Sequence, residues 1–322
     1  MAYMSIYLSI IAPCYNEEDN IFPFYELVTK ALQNKGYQYE VILINDGSSD
    51  KTKERIDEVA EKDNRIKAIH LKRNFGQTSA IMAGIDYASG DIIIPIDSDL
   101  QNDPNDIPNL LSKLNEGYDV VSGWRKDRQD NPLKRNLPSR IANSLISFIS
   151  GVHLHDYGCS LKAYKKDVIK GVKLYGEMHR FIPIYAKWQG AKVTEIPVTH
   201  HPRKFGVSKY GINRTFKVIL DLIVIKFIEK YSQKPIYLYG GFGLMNFVFS
   251  FLCAILMFYY KFWGMKSFVE TPLPQLVALF AMVGILSILI GLIAEIQNRV
   301  YHESQNKPVY LIKELKNIEE NK

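Results

Sequence analysis

Two carboxylates separated by one residue are the groups in this sequence best suited to chemistry. Asp97-Ser98-Asp99 follows an apolar run that ends at Ile96. Neighbouring carboxylates repel each other, and a divalent cation removes that repulsion while binding the oxygens of a diphosphate. Oxygen ligands of this kind suit Mg²⁺ or Mn²⁺. The pattern favours a metal site for a phosphorylated ligand, with a solvated acidic turn as the alternative reading of the same residues.

Two more polar turns follow earlier apolar runs. The first is Pro13-Cys14-Tyr15-Asn16-Glu17-Glu18, and the second is Asn45-Asp46-Gly47-Ser48-Ser49-Asp50. Each turn alone is a weak signal, because Asp, Asn, Ser and Gly are ordinary turn and helix-capping residues. Ligands of an open parallel sheet bind beyond the carboxyl ends of its strands, so the three turns are predicted to surround one crevice.

Short apolar runs alternate with helical patterns through the first part of the chain. Strands are predicted at residues 7–13, 40–45, 66–71, 91–96 and 119–122, and helices at 17–35, 50–62, 77–88 and 104–116. Strands this apolar, separated by amphipathic helices, indicate βαβ units and a buried, mostly parallel sheet. Right-handed crossovers then place helices on both faces, which is a Rossmann-like α/β fold.

Two uncharged segments near the C-terminus predict transmembrane helices. Residues 237–260 and 272–294 contain no charged side chain, and each is long enough to cross a hydrocarbon layer about 30 Å thick. A buried helix of a soluble domain is the alternative for each segment. Basic residues are concentrated outside the pair, so the positive-inside rule places both termini in the cytoplasm.

The chain therefore divides into four predicted parts. Residues 1–211 form a cytoplasmic sheet domain that carries the candidate site, 236–296 contain the two spans, and 297–322 form a cytoplasmic tail. Residues 212–235 are amphipathic and predict a helix lying on the membrane interface. An ordinary amphipathic helix packed on the domain is the alternative for that segment.

Composition narrows the classes of function. Of 322 residues, 47% are hydrophobic, and the net charge of +6 fits anionic ligands or lipid headgroups. The sequence lacks the basic, aromatic-rich stripe of a nucleic-acid binder. Its three cysteines fit neither a zinc spacing nor a disulfide framework, which indicates a reducing compartment. Neither a P-loop nor a signal peptide is predicted.

The three turns, the last extended through Leu100-Gln101, and the segment Arg73-Asn74-Phe75-Gly76 together resemble the signature blocks of family-two glycosyltransferases with the GT-A fold. More narrowly, the chain is similar to the branch that contains dolichyl-phosphate mannose synthase and bacterial undecaprenyl-phosphate glucosyltransferases. The resemblance covers nearly the whole chain, including the two spans. It implies metal-dependent transfer of a sugar from a nucleotide diphosphate, with UDP expected, to a polyisoprenyl phosphate such as undecaprenyl phosphate. Direct attack by the lipid phosphate predicts inversion at the anomeric carbon.

The resemblance also implies roles for residues at matching positions. The nucleotide sugar would contact the three turns at Pro13, Tyr15, Asn16, Glu17, Asp46, Asp97 and Ser98. The metal, Mg²⁺ or Mn²⁺, would be held by Asp97, Asp99 and Gln101. The acceptor phosphate would be bound by Arg125, Arg135, Ser139, Arg203, Ser208 and Lys209. Asp156 and Asp99 would be the catalytic carboxylates.

One stretch departs from the relatives. Where many of them have Asp-Phe-Arg, this chain has Cys159-Ser160-Leu161, so an arginine contact is missing or Lys162 replaces it. The cations assigned to the acceptor phosphate could also be solvated surface charges. The departure bears on the geometry around Asp156 and on the choice of sugar.

The expected partners are a nucleotide sugar, a lipid phosphate, the membrane and further copies of this chain, because relatives with two spans form tetramers. A bacterial inner membrane is the expected location. Three other functions stay open: transfer to a glycan or a protein, processive polysaccharide synthesis, and a non-enzymatic membrane scaffold. The sequence lacks the Gln-x-x-Arg-Trp motif of the processive synthases.

Overall fold

The structure is a computed structural model that describes residues 7–33, 35–126, 143–144, 146–147, 150–170, 172, 178–202, 236–264, 267–304 and 310–318. The chain forms two compact units. The sheet unit comprises Met1–Leu222 and Pro308–Lys322, and the helical unit comprises Ile223–Lys307. The predicted interfacial segment at 212–235 lies outside the described residues.

The described residues of the sheet unit form one eight-stranded sheet. Its strands are β1 Tyr7–Cys14, β2 Gln38–Asn45, β3 Ile66–Leu71, β4 Ile92–Pro95, β5 Val120–Trp124, β6 Lys162–Lys165, β7 Val193–Pro197 and β8 Ile312–Lys316. Their order across the sheet is β7-β5-β6-β4-β1-β2-β3-β8. The five predicted strands are confirmed, and the mostly parallel α/β architecture with them.

Helices lie between successive strands of the sheet along the chain. They are α1 Ile21–Leu32, α2 Thr52–Lys62, α3 Gln77–Tyr87, α4 Ile107–Asn115, α5 Lys166–Ile169 and α6 Ile182–Trp188, with short 3₁₀ turns at Pro104–Asp106 and Met178–Phe181. Consecutive residues of β1, such as Ile10 and Ile11, are both fully buried. Burial on both faces explains why the central strands read as continuous apolar runs instead of alternating ones.

Strand β1 lies at the point where the chain changes direction across the sheet. It pairs in parallel with β2 on one side and with β4 on the other. From β1 the chain builds outward through β2 and β3, and it then crosses to β4 on the opposite side. An open sheet binds ligands beyond the carboxyl ends of the strands at such a switch point. The acidic turn after β4 and the polar turn after β1 flank that position.

Three strands were not predicted from the sequence. Strand β6 runs antiparallel between β4 and β5, and its four residues begin and end with lysine. Strand β7 is a parallel neighbour of β5 at one edge. Strand β8 pairs antiparallel with β3 at the other edge. All three strands are four or five residues long and contain charged residues, which hides the apolar signal on which strand prediction depends.

Strand β8 lies in the segment predicted as a tail, and side-chain contacts attach it to the sheet unit. The Tyr310 hydroxyl donates to Asp86 at 2.8 Å. The Asn317 side-chain amide donates to the carbonyls of Ala60 and Ile66 at 2.7 and 2.9 Å. Part of the predicted tail at 297–322 therefore completes the sheet.

A buried carboxylate joins four segments at the amino ends of the strands. Glu40 accepts hydrogen bonds from the Tyr7 hydroxyl at 3.0 Å, the Ser9 hydroxyl and the Ser89 amide at 2.7 Å, and it pairs with Lys67 at 2.5 Å. Burial opposes its ionisation, but these partners outweigh burial and lower the pKa of Glu40 below its ordinary value. The charge is stable here because each carboxylate oxygen has donors.

The helical unit consists of α7 Ile236–Phe262 and α8 Leu273–Ser304, with a short 3₁₀ turn at Phe268–Glu270 between them. Leu238–Phe262 and Leu273–Ala294 are long and apolar enough to cross a membrane by length and composition. The two helices approach closely where a Cβ on Gly243 would lie 2.8 Å from the carbonyl oxygen of Gly284. Small residues at such a crossing let helix backbones pack directly.

Replacing Glu40 by Ala is expected to lower the free energy of unfolding by about 3 kcal/mol, because Lys67 and the Ser89 amide lose a buried partner. Glu40→Gln, which keeps the shape and part of the bonding, should lose less. Thermal unfolding of the purified full-length chain in detergent measures both variants. Wild-type stability in Glu40→Ala would contradict the role given to this carboxylate.

Candidate active site

The turns that follow β1 and β2 are joined by side-chain to backbone hydrogen bonds. Asn16 accepts from the Ser49 amide at 2.8 Å through its side-chain oxygen, and its own amide donates to the Ser48 hydroxyl at 3.0 Å. The Glu17 amide donates to the Thr52 hydroxyl at 2.8 Å. Asn16 has a φ of 51°, a conformation that asparagine tolerates better than most residues. The two turns therefore form one unit.

Asp46, predicted to contact the nucleotide, holds the neighbouring loop. Its two carboxylate oxygens accept from the amides of Phe75 and Gly76 at 2.7 and 2.9 Å. Burial raises the pKa of Asp46, although the two amides oppose that rise. Gly47 makes this close approach possible, because a Cβ there would lie 2.3 Å from the carbonyl carbon of Arg73.

The acidic turn after β4 contacts the turn after β1. The Ser98 hydroxyl donates to the Pro13 carbonyl at 3.1 Å. The side-chain amide of Gln77, at the start of α3, donates to Asp97 at 2.8 Å. The three turns predicted to surround one crevice thus lie together at the carboxyl edge of β1, β2 and β4.

Asp99 is 8% exposed and lies in a strained part of the same turn. It accepts from the Gln101 amide at 3.2 Å, and Leu100 between them has a φ of 63°. The Gln101 carbonyl accepts from the His201 amide at 2.8 Å. A left-handed conformation is costly for leucine, and such strain is concentrated at functional turns.

The acidic turn fits a divalent cation that is coordinated partly by the protein and partly by a bound anion. Within the described residues, no group of three or more His, Cys, Asp or Glu side chains forms a complete metal site. Asp97 and Asp99 supply two carboxylates in one turn, and Gln101 lies beside them. Mg²⁺ is often held by one or two carboxylates together with substrate phosphates, and the two carboxylates of this turn fit such a site.

Arg125 and Asp156 form a buried, bidentate ion pair. Arg125 follows β5, and its Nε and Nη2 atoms donate to the two oxygens of Asp156 at 2.7 and 3.0 Å. Burial opposes the charge on Arg125, but Asp156 outweighs it and raises the pKa of Arg125 above its ordinary value. Arg125 is predicted from the sequence to bind the acceptor phosphate and Asp156 to be catalytic, but their pairing is not predicted.

The loop that carries Asp156 is held from inside by a lysine. Lys162 on β6 is buried, and its ammonium donates to the carbonyls of Tyr157, at 3.2 Å, and of Cys159. Burial lowers the pKa of Lys162 to about 8. From the sequence, Lys162 is predicted only as a replacement for a missing arginine. Here it supports the loop from within.

Two further connections link this loop to the acidic turn. The Asp97 amide donates to the Ser160 hydroxyl at 3.2 Å, and the side-chain amide of Asn102 donates to the same oxygen at 2.8 Å. Arg180 reaches the loop as well, since a Cβ on Gly158 would lie 3.7 Å from its Nη1 atom. Arg180 had no motif to mark it in the sequence.

Several predicted site residues lie outside the described part of the chain. These are Arg135, Ser139, Arg203, Ser208 and Lys209. Their assignment to the acceptor phosphate stays a prediction. Tyr15 and Glu17 are described and lie partly buried in the turn after β1.

Residues 9–172 match the family model described as Glycosyl transferase family 2. This match runs from within β1 to beyond β6 and includes the three turns and Asp156. The chain belongs to glycosyl transferase family 2. The resemblance stated from the sequence is therefore confirmed, and the protein is a glycosyltransferase.

Two relatives align with this glycosyltransferase over nearly its full length. Dodecaprenyl-phosphate galacturonate synthase of Rhizobium johnstonii is 40% identical over 315 residues, which cover 97% of this chain and 93% of the relative. Undecaprenyl-phosphate 4-deoxy-4-formamido-L-arabinose transferase of Edwardsiella ictaluri is 36% identical over 308 residues, which cover 95% and 93%. Both alignments include the C-terminal helices.

Solved structures support the fold at low sequence identity. Glucosyl-3-phosphoglycerate synthase from Mycobacterium tuberculosis, bound to phosphoglyceric acid, aligns with a TM-score of 0.54 at 17% identity, covering 70% of this chain and 80% of that one. The same enzyme with Mn²⁺, UDP and glucosyl-3-phosphoglycerate gives a TM-score of 0.52 at 16% identity, with the same coverage. The GT-A fold expected of this glycosyltransferase agrees with both.

Replacing Gly47 by Ala is expected to cost about 2 kcal/mol more stability than replacing Gly36 by Ala. Both glycines have positive φ, 63° and 70°, so both variants carry backbone strain. Only Gly47 would also press a Cβ into the Arg73 backbone, because nothing lies within 4 Å of a Cβ on Gly36. Thermal unfolding of the two purified variants measures the difference. Equal losses would mean that the close packing at Gly47 is unimportant.

Proposed function

We propose that this glycosyltransferase moves a sugar from a UDP-sugar to a polyprenyl phosphate, such as undecaprenyl phosphate, at the cytoplasmic face of a membrane. The observation that carries the proposal is the arrangement at the carboxyl edge of the sheet, where the acidic turn, the two polar turns and the Arg125–Asp156 pair are joined by hydrogen bonds. Relatives named for polyprenyl-phosphate acceptors support the choice of acceptor.

The donor half of the site uses the turns after β1, β2 and β4. Pro13, Tyr15, Asn16 and Glu17 are proposed to contact the nucleotide, with Asp46 holding the adjoining loop in place. Asp97, Ser98, Asp99 and Gln101 are proposed to face the diphosphate. A divalent cation, Mg²⁺ or Mn²⁺, held by Asp97, Asp99 and Gln101 would stabilise charge on the departing nucleotide. A neighbour of the same fold solved with Mn²⁺ and UDP supports a divalent cation in general, and the three ligands stay proposed.

The acceptor half of the site centres on Arg125. Asp156 engages the Nε and Nη2 atoms, and a guanidinium carries five N–H donors, so further donors exist for a phosphate. Arginine binds phosphate oxygens in bidentate fashion. Arg135, Ser139, Arg203, Ser208 and Lys209 are proposed to complete the acceptor site.

Positioning carries most of the proposed catalysis. A phosphate monoester is already anionic near neutral pH, so the attacking oxygen needs no strong base. Asp156 is a paired carboxylate, and we assign it to orienting Arg125 and the acceptor. Holding nucleophile and anomeric carbon in line can supply a large part of the rate acceleration. Direct attack inverts the configuration at that carbon.

The two apolar helices are proposed to be membrane spans that bring the site to its lipid substrate. Basic residues are concentrated outside the pair, which supports a cytoplasmic location for both termini, by the positive-inside rule. A bacterial inner membrane and a homo-oligomer, with a tetramer as the first candidate, complete this proposal. An anchored enzyme acting on a glycan or a protein is the alternative, and the acceptor assay separates the two.

Purified full-length enzyme is expected to release UDP from a UDP-sugar only when undecaprenyl phosphate and Mg²⁺ or Mn²⁺ are present. Asp99→Asn should lower this rate by about 100-fold or more, because one carboxylate ligand is lost. Asp91→Asn, an exposed position at the other end of β4, is the matched control and should keep the wild-type rate. Screening UDP-sugars in this assay also identifies the donor.

Metal-independent turnover, or an unaffected Asp99→Asn, would contradict the assignment of the acidic turn. Turnover with a glycan or protein acceptor and none with lipid phosphate would favour the alternative function.

Asp156→Asn is expected to lower kcat by about 100-fold through misplacement of Arg125, while the shape of the pH profile stays unchanged. Arg125→Lys keeps the charge but loses the bidentate geometry, so it should raise the KM for the lipid phosphate more than the KM for the UDP-sugar. Steady-state kinetics across pH measure both variants. Disappearance of the acid limb in Asp156→Asn would instead indicate that Asp156 accepts a proton.

A further inference from the structure

A buried histidine on β3 lies outside the machinery described so far. His70 is 1% exposed. In the sheet register it lies opposite Asn45 of β2 and Glu314 of β8. Its Nδ1 atom lies 3.3 Å from the Asn45 side-chain nitrogen, and its Nε2 atom lies 3.1 Å from Asp57 of α2. Both ring nitrogens therefore have partners within hydrogen-bonding distance.

The Asn45 contact leads directly to the turns of the donor site. The Asn45 side-chain oxygen accepts from the Ser48 amide at 2.9 Å. The Ser48 hydroxyl in turn accepts from the Asn16 amide at 3.0 Å. One amide side chain thus bonds to His70 on one side and to the turn after β2 on the other, and that turn holds the turn after β1.

The bonding pattern fixes the protonation state of the ring. Because the Asn45 oxygen is engaged by Ser48, its nitrogen faces His70 and donates, so Nδ1 of His70 must accept. Nε2 then carries the proton and donates to Asp57. This is the neutral Nε2–H tautomer.

We propose that His70 is a positioning residue for nucleotide binding: its neutral ring holds Asn45, and through Asn45 the two donor-site turns, so that protonation of His70 weakens the binding of the UDP portion of the donor. The inference rests on the proposed nucleotide-sugar donor.

Protonation would bring two donors face to face. An imidazolium carries N–H on both nitrogens, so Nδ1–H would point at the Asn45 NH₂ group. Asn45 could turn its oxygen toward His70 only by leaving the Ser48 amide without its acceptor. Either arrangement loses one hydrogen bond in the chain from His70 to Asn16, a loss worth about tenfold in an equilibrium constant.

The charges around His70 come from α2 and β8. Asp57 contacts the ring, and Lys53 bonds to Asp57 at 2.8 Å and to Glu314 at 3.1 Å. Lys316 lies 3.9 Å from Asp57. Asn45 is the uncharged partner on β2.

Burial lowers the pKa of His70 below its ordinary value of 6.5, with Lys53 acting in the same direction and Asp57 and Glu314 opposing. The neutral form therefore prevails at neutral pH. Between the lowered pKa and 6.5 the unfolded chain binds a proton that the folded chain does not, so stability falls as pH falls through this window.

Two substitutions separate the two contacts of the ring. The side-chain oxygen of an asparagine at position 70 can occupy the place of Nδ1, and the side-chain nitrogen of a glutamine can occupy the place of Nε2. His70→Asn therefore keeps the bond to Asn45, whereas His70→Gln keeps the bond to Asp57. Neither side chain titrates between pH 5 and 8.

Calorimetric titration of UDP with Mn²⁺ into the purified full-length protein, at about pH 7.5 and then in steps to the lowest pH at which all three proteins stay folded, tests the proposal. At the higher pH, His70→Asn should bind UDP like wild type and His70→Gln about tenfold more weakly. On acidification, the dissociation constant of wild type should rise more than that of His70→Asn, and the excess should approach about tenfold once the pH lies below the lowered pKa of His70. The nucleotide's own phosphate, with a second pKa near 6, titrates equally in all three proteins.

Kinetics provide an independent readout. His70→Gln should raise the KM for the UDP-sugar by about tenfold while kcat and the KM for the lipid phosphate stay within about twofold of wild type. A purely structural role would instead lower the melting temperature of both variants without separating their UDP affinities.

Two results distinguish a failure of the proposed function from a failure of the role given to His70. If wild type neither binds UDP nor uses a UDP-sugar, the proposed function fails and this inference fails with it. Wild type could instead bind UDP and transfer sugar, with an affinity for UDP that changes with pH no more than that of His70→Asn. That result overturns the inference alone. That second comparison needs only wild type and His70→Asn, the variant that keeps the Asn45 contact.

Discussion

Four carboxylates lie at one edge of the sheet, where an anionic diphosphate is proposed to bind. The local structure depends on the hydrogen-bond donors and the cation that compensate their negative charge. The four carboxylates are Asp46, Asp97, Asp99 and Asp156. Carboxylates out of water are unstable unless donors or cations compensate them. The protein supplies a different donor for each: backbone amides of the loop at 73–76, the Gln77 side chain, the Gln101 amide and the Arg125 guanidinium.

These donors turn a repulsive cluster into a preorganised one. Each bond that stabilises a carboxylate also ties one turn to another segment, so the same interactions define the geometry of the site. Asp46 illustrates this, because its two bonds join the turn after β2 to the loop before α3. Preorganised polar groups need little reorganisation when a charged ligand arrives. The His70–Asn45 contact extends this arrangement into the interior of the sheet.

The sheet is built from residues that precede the helical unit in the sequence and from residues that follow it. Strand β8 follows α8 along the chain and lies beside β3, where Lys53 of α2 reaches Glu314. The edge of β3 is thereby covered by the protein's own C-terminal segment instead of being left open, and an open sheet edge is a liability for aggregation. The environment of His70 is set partly by residues that come last in the sequence.

The sequence determined the central strands, the connecting helices, the polar turns and the two apolar helices. These features are local, because apolar runs, helical periodicity and turn residues act over a few neighbouring positions. The bounds of β3, for example, agree with the prediction at both ends. The match to glycosyl transferase family 2 over residues 9–172 spans the same central strands and polar turns.

Only the tertiary structure decided which groups pair. Arg125 and Asp156 are 31 residues apart, and Asn45 and His70 are 25 apart, so no local pattern marks either contact. Strands β6 and β8 are short and rich in lysine, and they form because a neighbouring strand offers unpaired backbone groups. Lys162 is buried because the loop after Asp156 wraps its ammonium with carbonyls. Each of these depends on the packing of distant segments, which residue order alone does not specify.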